Sequence, residues 1–454
     1  MQVLDYPSAA AAKRLARIRG RAFDYSGKDL RAVSRILEDV RRRGDEALAD
    51  YTRRFDAPSF AVEDLRVGPQ EFRRAAAQAS RGFRRALDRA ASQIEAFHRR
   101  QLGSSHFSFD RPGTLLGQIV HPVDRAGVYV PGGMGGSTPL VSSVLMGAIP
   151  ARVAGVGRIV MVSPPTAEGR IDPHLLLAAR KAGIDEVYKV GSAWAVGALA
   201  FGTETIPKVD VVVGPGNIFV TLAKKVVAGT VGIDLIAGPS EILVVADDSG
   251  DAEFIAADLL SQAEHDPMAS AVLITTHRAL AAGVGRALKR QIAPLARAET
   301  ARRSLARYGA LLVVSDVAAA LELSNEIAPE HLELHLREPF AHLGSVRNAG
   351  AVFLGPFTPE PVGDYVAGPN HVLPTAGTAR FASALSVEHF LKRTSVIQYS
   401  RQALQREGRD IIALAEVEGL GAHANAVRKR LERPAPKPGA AKGRGADPTG
   451  RLEG

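Results

Sequence analysis

Cysteine is absent from all 454 residues, so the chain forms no disulfide, offers no thiolate to a metal and runs no chemistry through a covalent thiol intermediate. Aromatic residues are sparse at 6%, with one tryptophan, Trp194. No stretch of about 18 or more uninterrupted apolar residues occurs, which leaves no ordinary membrane-spanning helix. The start, Met1-Gln2-Val3-Leu4-Asp5-Tyr6-Pro7, has no basic segment followed by an apolar one, so the expectation is a cytoplasmic protein without a secretory signal.

What the chain has is apolar residues for substantial cores, 46% of the total, over a length that accommodates roughly three domains. Its formal charge of +9 invites a nucleic-acid reading, and the placement of the charge argues against one. Residues 1–113 hold 23 Lys/Arg against 15 Asp/Glu and residues 428–454 hold 8 against 3, so the stretch between them is net acidic. Arg41-Arg42-Arg43 and Arg84-Arg85 sit among periodic Leu, Ala and Phe, the pattern of solvated helix faces. No nucleic-acid partner is expected.

The pattern is helical over residues 1–110. From residue 115 short apolar runs alternate with helical stretches: Gly127–Val130, Arg158–Val162, Glu186–Val190 and Val209–Val213, then Ile242–Val245, Ala271–Thr275 and Ala310–Val314. Two such series predict two parallel-sheet α/β domains of incomplete Rossmann-like character, with a helical N-terminal region and a C-terminal helical arm. The boundaries read as an N-terminal extension over 1–30, a main α/β domain from 31–128 with 240–380, a cofactor-side α/β domain over 129–239 and an arm over 381–432. Residues 433–454, rich in Pro, Gly, Ala, Lys and Arg, read as a disordered tail.

Four segments carry candidate chemistry. Glu330 and His331 stand side by side in Ala328-Pro329-Glu330-His331-Leu332-Glu333, a carboxylate and an imidazole suited to successive proton transfers in one pocket. Gln262 and His265, at i and i+3, share a face of a helix that Pro267 ends. Asp364 lies in the Gly/Pro-rich stretch 362–371, and His423 in 419–425, so an amide oxygen, a carboxylate and two imidazoles are available to a divalent metal. The glycine segments are ambiguous. Pro131–Ser137 follows a strand pattern without Gly-x-Gly-x-x-Gly spacing, Ser163-Pro164-Pro165 lacks the acid that reads a ribose, and Gly214-Pro215-Gly216-Asn217 is equally a tight strand-to-helix turn. Glu333 and His335 alternate with Leu332, Leu334 and Leu336, which places them on a solvent-facing side of a strand.

In order along the chain, Arg125–Gly133, Gly214–Asn217, Ala237–Glu241, Ser261–Pro267, Ala328–Glu333, Gly363–Tyr365, Asn370–Thr375 and Thr378–Ser383 resemble the histidinol dehydrogenase family over about residues 30 to 430. The resemblance implies four-electron oxidation of L-histidinol to L-histidine through the aldehyde, with NAD and one zinc per subunit. It implies Glu330 and His331 as catalytic, and Gln262, His265, Asp364 and His423 as zinc ligands. It further implies substrate contacts from Ser240, Gln262, His265, His331, Asp364, Glu418 and His423, and cofactor contacts from Tyr129, Asn217 and the position of Trp194. There, relatives carry glutamine in Gly-Gly-Ala-Gln-Ala where this chain has Gly191-Ser192-Ala193-Trp194-Ala195. A homodimer whose C-terminal arm completes the neighbouring site is also implied. Without cysteine, water is the nucleophile for the aldehyde. A zinc and NAD enzyme for another small polar alcohol is the alternative, and a non-catalytic relative is disfavoured by retention of both Glu330 and His331.

Overall fold

The computed structural model describes residues 1–21, 26–132, 138–184 and 186–433. Two compact units divide the chain: Met1–Gly103 with His121–Lys392, and Ser104–Val120 with Arg393–Gly454. The expected disordered tail falls almost wholly on 434–454, outside the described residues, as do 133–137 of the first glycine loop.

The first unit contains two parallel sheets, which bears out the α/β reading. The six-stranded sheet runs in the order Val3–Asp5, Gly309–Val313, Ser270–Thr275, Glu241–Ala246, His331–His335, Ala351–Leu354. The five-stranded sheet runs Glu186–Tyr188, Arg158–Val162, Arg125–Tyr129, Val211–Val213, Gly232–Ile233. The paired strands in both run parallel, for example with His331 opposite Ile242 and Tyr129 opposite Val162. Central parallel strands are covered on both faces and read as continuous apolar runs. Glu241–Ala246 and Ser270–Thr275 are buried at all six positions.

Two expected groupings change. Residues 1–30 are no separate extension: Val3–Asp5 pairs with Leu311–Val313 as an edge strand, and Ala11, Leu15 and Ile18 of the helix Ala9–Arg19 enter that sheet's core. Residues 31–60 do not join the 240–380 sheet, because Val33, Leu37, Val40, Leu48 and Phe60 share a core with Tyr129, Val160, Val190 and Val212 of the other. The helix Gly27–Arg43 shows how local sequence serves that packing. Ser26 and Asp29 cap each other's backbone N–H groups at its start, and Val33, Leu37 and Val40, at i, i+4 and i+7, form its buried stripe.

The second unit holds the hairpin of His106–Ser108 on Thr114–Pro122, the strand Leu391–Tyr399 and the helices Arg401–Val417 and Gly421–Glu432. Arg111 ties it together, donating to Glu407 at 3.2 Å and to the Tyr399 hydroxyl at 3.0 Å.

Candidate active site

Glu241, His331 and Ala351 are the first residues of three adjacent parallel strands, so the site is built at the amino end of the six-stranded sheet. The helix Val317–Ile327 delivers the chain there. It ends at Ala328 with φ 53°, a left-handed conformation rare for a residue with a Cβ, and Pro329 and Glu330 then turn into the strand. The Glu330 carbonyl accepts from Ala351 N–H at 2.9 Å, and a side chain at Gly350 would stand 2.6 Å from that oxygen.

Glu241 holds both catalytic candidates. Its N–H donates to Glu330 Oε2 at 2.8 Å, its carbonyl receives His331 Nδ1–H at 2.9 Å, and its carboxylate accepts from Glu330 N–H at 3.2 Å. Arg21, itself buried, pairs with that carboxylate. The Nδ1–H bond leaves the His331 Nε2 lone pair free, 3.8 Å from Glu360 Oε1. Burial holds His331 down at about 4, against the raising effect of the Glu241 carbonyl, so the ring is neutral at physiological pH. Glu330 is held well above the usual carboxylate range by burial, assisted by the charges of Glu241, Asp364 and Glu360.

Glu360 and Asp364 are one turn apart on the short helix Glu360–Tyr365 and face His331 together. Burial and the neighbouring Asp364 raise Glu360. Asp364, although burial opposes it, is lowered by His371, whose Nδ1 lies 3.2 Å away. His331, Asp364 and His371 line a cavity of about 420 Å³ with Phe353, Val352 and Asn370, a volume suited to a small molecule.

Gln262 lies in the last turn of the helix Ala252–Ala263, 1% exposed, and its Oε1 has no hydrogen-bond partner among the described residues. The helix stops at Ala263, earlier than Pro267 suggested. His265 therefore leaves it through a turn in which its N–H donates to the Gln262 carbonyl at 3.2 Å. Its side chain is exposed, and its charge acts on His331 together with those of Asp364 and His371. Ser240 immediately precedes Glu241, with its carbonyl receiving Ser270 N–H at 3.0 Å. Glu418 caps the carboxyl end of Arg401–Val417 and His423 sits in the first turn of Gly421–Glu432, both exposed on the second unit.

The cofactor-side positions gather at the carboxyl end of the five-stranded sheet. The strand order reverses there between Arg125–Tyr129 and Val211–Val213, the usual place for a dinucleotide crevice. The Tyr129 hydroxyl accepts from Ser192 N–H at 3.1 Å. Gly214, at φ +114°, lies so close to Tyr129 that a Cβ would be 2.1 Å from its carbonyl, and Asn217 caps the following helix through Oδ1. Gly214–Asn217 is thus a tight turn as well as the rim of the crevice. Trp194 departs from the expected cofactor-facing placement. It is 4% exposed in the helix Ser192–Phe201, with Tyr51 and Phe55 stacked on it at 5.6 and 5.7 Å, because their helix packs against it.

Sequence reasoning missed Arg21, Glu241 and Glu360 as supports of the site. Their roles run through backbone groups or contacts of over 25 residues' separation, which leave no local pattern. It also placed Glu333 and His335 in solvent, whereas both are buried, because the strand is internal and helices cover its polar face.

Comparison with known proteins identifies the family. The family profile described as histidinol dehydrogenase matches residues 21–431. A histidinol dehydrogenase of Desulfotalea psychrophila is 54% identical over 88% of this chain and 92% of its own length, and one of Bacillus cereus is 53% identical over the same shares. The crystal structure of histidinol dehydrogenase from Elizabethkingia anophelis superposes with a TM-score of 0.89 at 37% identity, covering 95% of this chain and 98% of that one. With a base pair held as Glu330 and His331 are, and likeness running the length of both chains, the protein belongs to the histidinol dehydrogenase family of oxidoreductases.

Proposed function

We propose that the protein is a cytoplasmic enzyme that oxidises L-histidinol to L-histidine through the aldehyde, using two NAD and one water, with zinc holding the substrate. The observation that carries this is a small cavity lined by His331 and Asp364, with Glu330 held beside His331 by Glu241, in a chain of this family.

The residues fit a zinc ion. Gln262 Oε1 is a buried oxygen without a partner, and with His265 and Asp364 it makes a borderline N/O donor set. These three and His423 would hold the metal, one per subunit. When bound, zinc supplies a fixed grip on the amino and imidazole nitrogens of the substrate. Ser240, His331 and Glu418 are the further substrate contacts in this reading.

Proton handling belongs to the chain's own side chains. His331, neutral and with Nε2 free, takes the alcohol proton as hydride leaves for NAD. Glu330, which burial holds well above the usual carboxylate range, then takes a proton in its ionised form from the water that attacks the aldehyde carbon. The hydrate so formed loses its second hydride to a second NAD, again with His331 receiving the hydroxyl proton. Two NADH and three protons leave as each histidinol ammonium cation becomes zwitterionic histidine, which balances the four electrons, the charge and the added oxygen.

NAD fits the crevice at Tyr129 and Asn217. Ser163 Oγ, just beyond the strand Arg158–Val162, is buried without a hydrogen-bond partner among the described residues. Trp194 contributes there as a packed wall rather than an open stacking face.

The outward-facing Glu418 and His423, on helices that also expose Leu414 (68%) and Val417 (88%), favour a homodimer in which each arm serves the neighbouring site.

The zinc-loaded protein, supplied with histidinol and excess NAD, is expected to form two NADH and one histidine per histidinol. One NADH with aldehyde accumulating, or turnover of other amino alcohols but not histidinol, would reject this reading.

A further inference from the structure

The strand His331–His335 puts His331, Glu333 and His335 on one face at alternate positions, and all three are buried. His331 serves the cavity. Glu333 and His335 take no part in the chemistry above, yet they are packed into a polar cluster that the protein keeps out of water at a cost.

Their partner is Asp258. His335 Nε2 lies 3.3 Å from Glu333 Oε2 and 3.5 Å from Asp258 Oδ2, while Glu333 Oε1 accepts the backbone N–H of Glu360 at 2.9 Å. Among the described residues no lysine or arginine pairs with Asp258 or Glu333. Burial pushes Asp258 up to about 8 and Glu333 up to about 7, and it lowers His335. Near neutrality Asp258 therefore holds a proton and donates it to Glu333. His335 is a neutral imidazole with its proton on Nε2, and Nδ1 is the ring nitrogen left without a partner among the described residues. Glu333 is the acceptor at the centre of the group, from Glu360 N–H and from His335.

Each arm of this cluster leads to an element that carries a site residue. Asp258 is four residues before Gln262 on one helix, so the two are stacked a turn apart. Glu360 is likewise a turn before Asp364, on a helix of six residues, too short to hold itself, whose first N–H has no intrahelical acceptor. Glu333 is two residues from His331 on the strand.

We infer that Asp258, Glu333 and His335 form a positioning unit that pins the helices bearing Gln262 and Asp364 to the strand bearing His331, and so sets the geometry of the metal ligands. This rests on the zinc reading given above. The three residues are positioning residues: none lines the cavity, and their effect passes through Gln262 and Asp364.

The test compares Glu333→Gln, which keeps an acceptor for the Glu360 N–H, with Glu333→Met, which has similar length and no strong acceptor. Zinc affinity is read by chelator competition, and ligand geometry by the visible absorption of the cobalt(II)-loaded protein. Glu333→Met is expected to bind zinc about 10- to 100-fold more weakly, with a changed cobalt spectrum, and Glu333→Gln to stay within about threefold of the unmodified protein. His335→Leu, which spares the bond to Glu360, is expected to lose about three- to tenfold and serves if Glu333→Met does not fold.

Unchanged zinc affinity and cobalt spectrum in folded Glu333→Met and His335→Leu, with zinc bound normally by the unmodified protein, would overturn the inference and leave the zinc reading standing. An unmodified protein that binds neither zinc nor cobalt would remove both. Two metal ions per subunit, one of them lost in His335→Leu, would make the cluster itself a metal site and overturn the positioning role.

Discussion

Glu330 and His331 are adjacent in the chain, but what makes them different acids and bases is a third residue, Glu241. Its carbonyl fixes the His331 tautomer and its N–H takes one oxygen of Glu330. Burial keeps the histidine neutral, the Glu241 carbonyl leaves Nε2 as its free nitrogen, and the carboxylate retains Oε1 for a water molecule. Replacing Glu330 by glutamine keeps the bond from Glu241 N–H through the amide oxygen while removing the base. Aldehyde oxidation is then expected to slow by about 10²- to 10⁴-fold, with alcohol oxidation affected much less, whereas His331→Asn slows both half-reactions by comparable factors. Separate assays with histidinol and with the aldehyde measure this, and equal losses in both steps for Glu330→Gln would contradict the division of roles. The pairing of Glu330 with His331 was legible because both occupy one short motif. The part of Glu241 was not, since a bond through backbone atoms leaves no residue-type signature.

At the scale of elements, the His331–His335 strand shows how period-2 alternation misleads inside a parallel sheet. Leu332, Leu334 and Leu336 enter a core cluster, which leaves the polar face to be assigned by default to water. Helices cover that face, and the buried charge is managed by protons, with a consequence for stability. In the metal-free protein the folded-state values of Asp258 and Glu333, about 8 and 7, lie above their ordinary 3.8 and 4.5. Between these limits the folded state binds more protons than the unfolded chain, so stability falls as pH rises toward 8. His331 acts in the opposite direction at lower pH. Its ordinary 6.5 is lowered to about 4, so as pH falls through that window the unfolded chain takes up a proton that the folded one does not, and stability again drops. Thermal denaturation of zinc-stripped protein is expected to give a Tm highest on the mildly acidic side and declining from pH 7 to 9. Asp258→Asn, whose amide donates the same bond without titrating, is expected to have a flatter alkaline limb. A Tm that climbs from pH 7 to 9, or an unaltered limb in Asp258→Asn, would count against these protonation states.

Over the whole molecule, the proposed zinc ligand His423 and the proposed substrate contact Glu418, which do not come from the first unit, test the assembly. If each arm completes the neighbouring site, inactive His423→Ala and inactive His331→Ala proteins, dissociated and reassociated at equal concentration, are expected to recover about a quarter of full activity. Half of the dimers are then mixed, and each mixed dimer has one site with both residues intact. Mixed dimers that form but stay inactive would mean sites built within one chain. The amino-acid sequence by itself determined the α/β class, the two series of parallel strands and the segments holding Glu330, His331, Gln262, His265 and Asp364. Apolar periodicity and short motifs are local properties that survive in one dimension. Only the tertiary structure decided that Val3–Asp5 closes an edge of the six-stranded sheet, that residues 31–60 pack on the other sheet, and that Trp194 is stacked beneath Tyr51 and Phe55. It alone also put Glu333 and His335 out of water. Each of these depends on which surface covers which, a long-range matter of burial that residue order along the chain does not encode locally.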